Sequence, residues 1–387
     1  MRPKARATLR PLAPSTYLLR NAGKTIPLTG VIMLAVMLVS SIIAMIDSIP
    51  YSIRVIYGYS KEMMGLTPRG DTYQTPKILA DISKNSPVPI GREMIIRASG
   101  SQVRSIVGKW PFVMVGLKQD DFAYYLARQN SKGIEGRLPK AGAPEAVVSK
   151  PVAKNLSLKI GSVIQGPDLN ESYSPQEVKV VGIADTDRWL MVNSIEYQRA
   201  NHFPPMDLGM VFAKNRADQD KLDHWANKHF KRQRAQVWAY YKVEQQTQDM
   251  FKTLFQILNV VVAVLAVVIT FMMGMLMNIY QTQRLVEFGL LQAIGYTKRQ
   301  LVRRVMMESI AVVILGWVFG VVMSYGMLVV AKKVLMDPNA YALDLFDQRA
   351  FNYTVPIPFA ILLCAIGTVY FRFLKFDPVS VVERRLV

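Results

Sequence analysis

A chain of 387 residues that is 51% hydrophobic and only 19% charged, with a mean hydropathy of +0.18, has the composition of neither a disordered polymer nor an ordinary soluble domain, and it leans toward membrane proteins. Its formal net charge of +19 would suit nucleic acid if it covered one face. The basic residues instead gather in short segments beside apolar runs, where anionic headgroups account for them, so membrane lipids and no nucleic acid are the expected partners.

Residues 1–25 carry Arg2, Lys4, Arg6, Arg10, Arg20 and Lys24 without an acid, and Pro3, Pro11 and Pro14 interrupt them. Tyr17, Leu18 and Leu19 suit the lipid interface, which makes this a cytoplasmic amphipathic lead. Gly23, Lys24 and Thr25 imitate the end of a nucleotide-binding P-loop, but Leu18 stands at the first glycine position and an apolar run follows directly. The tripeptide is read as chance, and no ATP site is expected in this chain.

Ile26 to Ile46 is the first of four uncharged apolar stretches; the others are Leu254 to Ile279, Ser309 to Ala331 and Tyr353 to Phe371. Each runs for about 19 to 26 residues, and about 20 suffice to cross the hydrocarbon core as a helix. The first run is longer than the apolar core of a cleaved signal peptide and reads as a retained span. The third span repeats small residues at Gly316, Gly320 and Ser324, a spacing for close helix packing either between two copies or within one chain. Cys364, the one cysteine, lies in the fourth span, so no disulfide framework exists within the chain.

Arg284, Lys298, Arg299, Arg303 and Arg304 mark the loop between the second and third spans, whereas residues 332–354 balance Lys332, Lys333 and Arg349 against Asp337, Asp344 and Asp347. Lys and Arg hold short loops in the cytoplasm, so both termini and the first of these loops are expected inside. The long segment before the second span is then outside. The expected divisions are the lead (1–25), helix 1 (26–49), an extracytoplasmic domain with its stalk (50–252), helix 2 (253–280), a cytoplasmic coupling segment (281–304), helix 3 (305–332), an outer loop (333–352), helix 4 (353–374) and a cytoplasmic tail (375–387).

Within the outer domain, Glu93 to Ala98, Phe112 to Leu117, Glu145 to Ser149, Val178 to Ile183 and Gly209 to Ala213 read as strands. Asp120 or Asp121 is expected to cap a helix reaching Gln129, Pro151 to sit in the first turn of another, and Asp218 to start one ending near Phe230. The expected fold class is a membrane protein of four transmembrane α-helices plus an α+β extracytoplasmic domain inserted between helices 1 and 2. Two apolar stripes, Ile49, Ile53, Ile56 and Tyr57 before the domain and Met250, Leu254, Ile257 and Val261 after it, are expected to pack together as a stalk. The histidines, His202, His224 and His229, lack the spacing of a shared metal site. Asp185, Asp187 and Glu196 read as solvated carboxylates, and Trp110, Trp189, Trp225 and Trp238 as core residues.

The segment from Arg284 to Leu301 stands apart. Leu285, Phe288, Leu291 and Gln292 share a helical face, Gly295 can end the helix in a left-handed conformation, and Thr297 can cap the next one. Such a short helix across the cytoplasmic mouth is either a lever on two spans or an interfacial anchor.

Here the sequence resembles FtsX/MacB-type permeases of ABC transporters. Glu287, Phe288, Gly289, Leu290, Leu291, Ala293, Ile294 and Gly295 are similar to the core of the family signature REIGLLRALGATRRQI, and Glu308, Gly316 and Gly320 to its next span. The tail Asp377 to Val382 resembles the family's DPxxAL ending, and segments between Gly136 and Ile183 resemble the MacB-type periplasmic core domain. Gln292, Tyr296 and Val286 depart from the signature.

The resemblance implies a non-catalytic permease subunit in the bacterial inner membrane, with those eight residues coupling it to a separate ABC ATPase that holds ATP and Mg2+. It implies no cofactor in this chain and a second permease copy or a homologous permease beside it, and it leaves room for a periplasmic adaptor. The expected work is mechanotransmission on a lipid, lipoprotein, peptide or drug. A signalling subunit that regulates a cell-wall hydrolase is the alternative, and a membrane enzyme would need an outer catalytic constellation that the sequence does not offer.

Overall fold

The computed structural model describes residues 20–230 and 234–374. Most of the lead, with Tyr17, Leu18 and Leu19, and the tail with Asp377 to Val382 lie outside the described residues. The chain divides into two compact units. The membrane unit holds the described parts of Met1–Asp47 and Asp344–Val387 together with Leu254–Ala331, and the inserted domain holds Ser48–Thr253 and Lys332–Leu343.

In chain order, helix α1 (Ala22–Ile56) leads to β1 (Met64–Pro68), α2 (Thr75–Asn85), β2 (Ile90–Ser105), β3 (Gly108–Leu117), α3 (Phe122–Arg128) and β4 (Ile134–Gly136). Next come β5 (Glu145–Ser149), α4 (Lys150–Leu156), β6 (Val163–Gln165), β7 (Val178–Ala184), β8 (Met191–Ser194), α5 (Ile195–Ala200), β9 (Leu208–Ala213), α6 (Gln219–Phe230) and β10 (Ala235–Trp238). The chain then forms α7 (Tyr240–Thr282), α8 (Leu285–Ala293), α9 (Lys298–Ala331), α10 (Gln348–Thr354) and α11 (Pro356–Leu374). Among the described residues, 4 helical segments are long and apolar enough to cross a membrane. In hydrocarbon the backbone can be satisfied only within such helices or in a closed barrel.

Small residues set the packing of the membrane unit. A Cβ at Gly316 would lie 2.7 Å from Ile32 Cβ, and one at Gly320 would lie 2.7 Å from Val36 Cβ and 2.8 Å from the Met33 carbonyl. One turn on, the Ser324 and Ser41 hydroxyls are 3.1 Å apart. The small stripe of α9 therefore lies against α1 of the same chain, with the backbones close enough that no side chain fits between them.

The inserted domain is built on a mixed sheet in the order β10-β1-β9-β2-β3-β8-β5-β7-β4, with β6 paired to β7. The long strand β2 joins its halves, pairing with β9 through Ile90–Ile96 and with β3 through Arg97–Ser105. Strand β9 is buried on both faces: Met210 and Phe212 enter one core with Met94, Ile96, Phe112 and Tyr125, while Val211 and Ala213 enter another with Ile78, Leu222 and Phe230. This is the period-2 alternation of a strand applied to two apolar layers. Strands β3 with β8 and β5 with β7 are parallel, and the remaining pairs are antiparallel.

The end of α1 is held inside this domain. Ile56 and the following Tyr59 and Met63 enter its larger core. Arg188 donates to the Gly58 carbonyl at 2.7 Å, Gln129 to that of Tyr59 at 3.1 Å, and Glu62 pairs with Arg216 at 3.3 Å.

Several expectations need correction. Asp121 does not cap α3, because its carboxylate is drawn to Arg92 at 2.7 Å. The stripe Met250, Leu254, Ile257 and Val261 is 59%, 37%, 58% and 50% exposed, and the buried face of α7 is Phe251, Leu258 and Val262 instead. Within the domain, Arg54 of α1 pairs with Glu244 of α7 at 3.8 Å. Residues 332–343, which include the first part of the expected outer loop (333–352), group with the inserted domain: Ser52 Oγ donates to the Ala342 carbonyl at 2.9 Å, and Asn155 to that of Asn339 at 2.7 Å. Trp238 is half exposed, its indole N–H donating to Thr67 at 2.9 Å, whereas Trp189 is a core residue.

One buried acid makes the domain sensitive to pH. Asp223 of α6 is 3% exposed and accepts from Gln219 at 2.9 Å. Burial pushes its carboxyl up to about 8. The unfolded chain releases this proton near pH 3.9, about the ordinary value. The contribution of Asp223 to stability is therefore fully present below pH ~4 and is lost as the pH climbs to about 8. Thermal unfolding followed by tryptophan fluorescence should show a midpoint that falls from pH 5 to pH 9, and Asp223→Asn should flatten that fall. An unchanged pH dependence in the variant would contradict this assignment.

Candidate functional site

The short helix α8 is fastened at both ends and along one side. Arg284, at its N-cap, makes no side-chain cap bond. Its guanidinium turns inward, reaching Glu308 of α9 at 2.6 Å and Glu287 at 3.3 Å, while Arg304 approaches the other oxygen of Glu308 at 3.1 Å. Arg284 is 1% exposed and lies over the rings of Tyr280 and Phe288, at 5.4 and 5.1 Å. Arg284 and Glu308 thus pair where water is largely excluded, with Arg304 beside them and Glu287 at the exposed edge. Charge-assisted hydrogen bonds to both oxygens of Glu308 are what make such burial tolerable.

The exit from α8 is equally defined. Gly295 takes φ +106, the Gly295 N–H donates to the Gln292 carbonyl at 2.9 Å, and the Tyr296 N–H donates to that of Leu291 at 3.1 Å. These two bonds form a Schellman motif, and Leu291 and Tyr296 complete it by packing on the same cluster. Thr297 then opens α9 with a reciprocal capping box: its hydroxyl accepts from the Gln300 N–H at 3.3 Å, and the Gln300 side chain accepts from the Thr297 N–H at 3.0 Å. Underneath, Phe288 is buried with Leu301 and Val305. Burying a side chain of that size is worth about 1.5–3 kcal/mol.

The eight signature residues therefore divide. Phe288 is buried and Leu291 half-buried against α9, and Gly289 is buried. Glu287, Leu290, Ala293 and Ile294 face away, with Leu290 57% and Ile294 76% exposed, and Gly295 is exposed in the turn. The inward pair Phe288 and Leu291 lies on the face the periodicity marked, while Gln292 is partly buried and the side chain of Leu285 is outside the description.

Sequence reasoning missed the ion cluster. It counted Arg284 and Arg304 only among the basic residues of a cytoplasmic loop, although a glutamate at the opening of an apolar span, Glu308, signalled that cations had to be near.

Other candidates are not assembled into a site. Gly23 to Thr25 lie in α1, with the Thr25 hydroxyl donating to the Asn21 carbonyl at 3.1 Å. His224 stacks on Tyr241 and His229 on Trp225, and Asp185 pairs with Lys150 at 2.7 Å. Among the described residues, no group of three or more His, Cys, Asp or Glu side chains could hold a metal ion.

Residues 259–374, which contain all of α8, the ion cluster and α9, match the family model described as FtsX-like permease C-terminal. This segment is similar to the C-terminal part of FtsX-like permeases. No curated protein matches the chain.

Among solved structures, the chain is similar to the periplasmic region of MacB from Actinobacillus actinomycetemcomitans, at 10% identity over 50% of this chain and 95% of that one, with a TM-score of 0.29. It is also similar to the extracellular domain of the noncanonic ABC-type transporter YknZ from Gram-positive bacteria, at 12% identity over 46% of this chain and 99% of that one, with a TM-score of 0.29. The family-model match covers residues 259–374, with the α8 segment near its start.

Proposed function

We propose that this chain is the permease subunit of an ABC transporter, driven by a separate ATPase that binds ATP and Mg2+. Two copies, or this chain and a homologous permease, sit on a pair of ATPase subunits at the cytoplasmic face of the inner membrane. The distribution of Lys and Arg supports cytoplasmic termini and an inserted domain outside. The permease-family match supports the transporter role.

The observation that carries the mechanism is the outward face of α8. Leu290 and Ile294 are large apolar side chains exposed on an element that the ion cluster, the Schellman turn and the Phe288 contacts hold stiffly to α9. A partner that grips this face moves α9, and with it α1 across the glycine seam. The far end of α1 is rooted in the inserted domain through Ile56, Tyr59 and Glu62. Displacement at α8 is thereby converted into displacement of the inserted domain, which does mechanical work on a substrate outside the membrane.

The test is the double variant Leu290→Asp with Ile294→Asp. Both side chains are exposed, so the fold is expected to survive, while ATP hydrolysis by the partner loses its dependence on the permease by about tenfold or more, the equivalent of ~1.4 kcal/mol of lost coupling. Hydrolysis that stays fully coupled in this variant would contradict α8 as the lever.

A further inference from the structure

The membrane unit contains a cavity of about 580 Å³ near the ends of α1 and α9 that lie toward Asp47. Ser40 and Ala44 line it from α1, Val322 and Leu328 from α9, and Phe346 and Phe351 from the segment around α10. Its size falls in the range of small-molecule sites, about 300–1,000 Å³, and its walls are mostly apolar. Ser40 and Ala44 belong to the uncharged stretch that spans the hydrocarbon, so the cavity lies at a depth where water is a poor filler.

Two features say what fills it. Phe346 is 78% exposed at the lip, in a tilted stack on Tyr325 with centroids 5.1 Å apart. An aromatic ring in that position has apolar surface to cover. It is also flanked by carboxylates: Asp344 accepts from the Phe346 N–H at 2.9 Å, and Asp347 lines the cavity while accepting from the Arg349 N–H at 2.8 Å. Arg349 does not neutralise them, because its guanidinium goes to Asp47 at 3.2 Å and lies over the Phe255 ring at 4.3 Å.

We infer that this cavity takes the alkyl tail of an amphiphile whose head is an amine, the tail lying along α1 and α9 and the ammonium resting at Asp344 and Asp347. An anionic head would meet two carboxylates and is disfavoured. This inference deepens the transporter reading by naming a substrate class, and it rests on that reading for the side of the membrane on which the head group sits.

The probe is a single-chain amphiphile with a photoreactive diazirine in its tail, prepared with an amine head and with a sulfate head, and added to the full-length protein in phospholipid nanodiscs. Labelled peptides are mapped by mass spectrometry. The amine probe should label residues 321–328 and 345–351 about fivefold more than the sulfate probe, a margin of the size one partly shielded ion pair gives.

Val322→Trp should remove that labelling while the exposed face of α7 is labelled as before; Val322 is itself 62% exposed, so the larger ring does not enter a packed core. Asp347→Asn keeps an N-cap acceptor for α10 and should lower the amine preference. Labelling that ignores Val322→Trp, equal labelling by the two heads, or a preference untouched by Asp347→Asn would each overturn the inference. No ATPase is present in this assay, so its failure leaves the coupling role of α8 standing, and loss of that role would leave this binding intact.

Discussion

Replacing Glu308 with alanine is expected to destabilise the membrane unit by about 3–5 kcal/mol, because it strands Arg284 in a site from which water is excluded. Glu308 is 3% exposed and faces Arg284 at 2.6 Å and Arg304 at 3.1 Å. Arg304 has some access to solvent, but Arg284, buried over Tyr280 and Phe288, would keep the longer pair to the exposed Glu287 at 3.3 Å in place of the one at 2.6 Å.

The paired variant Arg284→Met with Glu308→Met separates two roles. Replacing both partners removes the stranded charge, so most of the stability should return. The directional link between the α8 N-terminus and α9 does not return, and ATPase coupling should stay impaired. Unfolding midpoints in detergent and hydrolysis rates, measured on the same preparations, distinguish these outcomes. A stable Glu308→Ala protein with unaltered unfolding would show that the cluster contributes little.

The second large effect is expected at the glycine seam. Gly320→Leu would place a branched side chain where even a Cβ meets the Met33 carbonyl at 2.8 Å and Val36 Cβ at 2.7 Å. Neither neighbour is the loose end of a side chain, so relief requires α1 to move off α9. Overpacking of this kind typically costs about 1–3 kcal/mol, and loss of the adjoining contacts adds to it.

Gly316→Ala, with Ile32 Cβ at 2.7 Å, should show a smaller version of the same defect. Gly326 meets nothing within 4 Å, so Gly326→Ala should be neutral or slightly stabilising, since alanine favours the helix by about 1 kcal/mol. Equal behaviour of Gly320→Leu and Gly326→Ala in thermal unfolding and yield would contradict the seam.

Much of this architecture could be read before any coordinates, because its strongest signals are long and one-dimensional. Four uncharged apolar stretches specify membrane helices almost without competition, and Gly295 followed by Thr297 marks the break between α8 and α9 through local backbone chemistry alone.

What escaped was set by tertiary context. Strand β1, Met64-Gly65-Leu66-Thr67-Pro68, has a glycine and a proline that argue against a strand, yet it is paired on both sides, with β9 and β10. The apolar stripe from Met250 to Val261 looked like a packing surface because periodicity reports that a face is apolar and not what covers it. Asp121 had the right residue type and place for a cap, but a guanidinium nearby is a stronger attraction than a backbone N–H. Arg284 could not be distinguished from its basic neighbours, since its burial depends on Glu308 arriving from another helix.

The same distinction applies to the eight signature residues. The signature from Glu287 to Gly295 was recognisable as a unit, but its division into an inward set, Phe288, Gly289 and Leu291, and an outward set, Glu287, Leu290, Ala293 and Ile294, needed the packing of α8 on α9. In the inward set, Phe288 and Leu291 pack α8 on α9. The outward set is the surface a partner would grip.

The central claim is that a separate ATPase grips α8, and the most direct test is to purify the full-length protein from its native host in mild detergent and identify what accompanies it. The account predicts an ABC ATPase subunit in stoichiometric amount, released by Leu290→Asp with Ile294→Asp while the permease itself stays folded. A folded, monodisperse permease that brings no ATPase with it, or that retains the ATPase equally well in the variant, would contradict it.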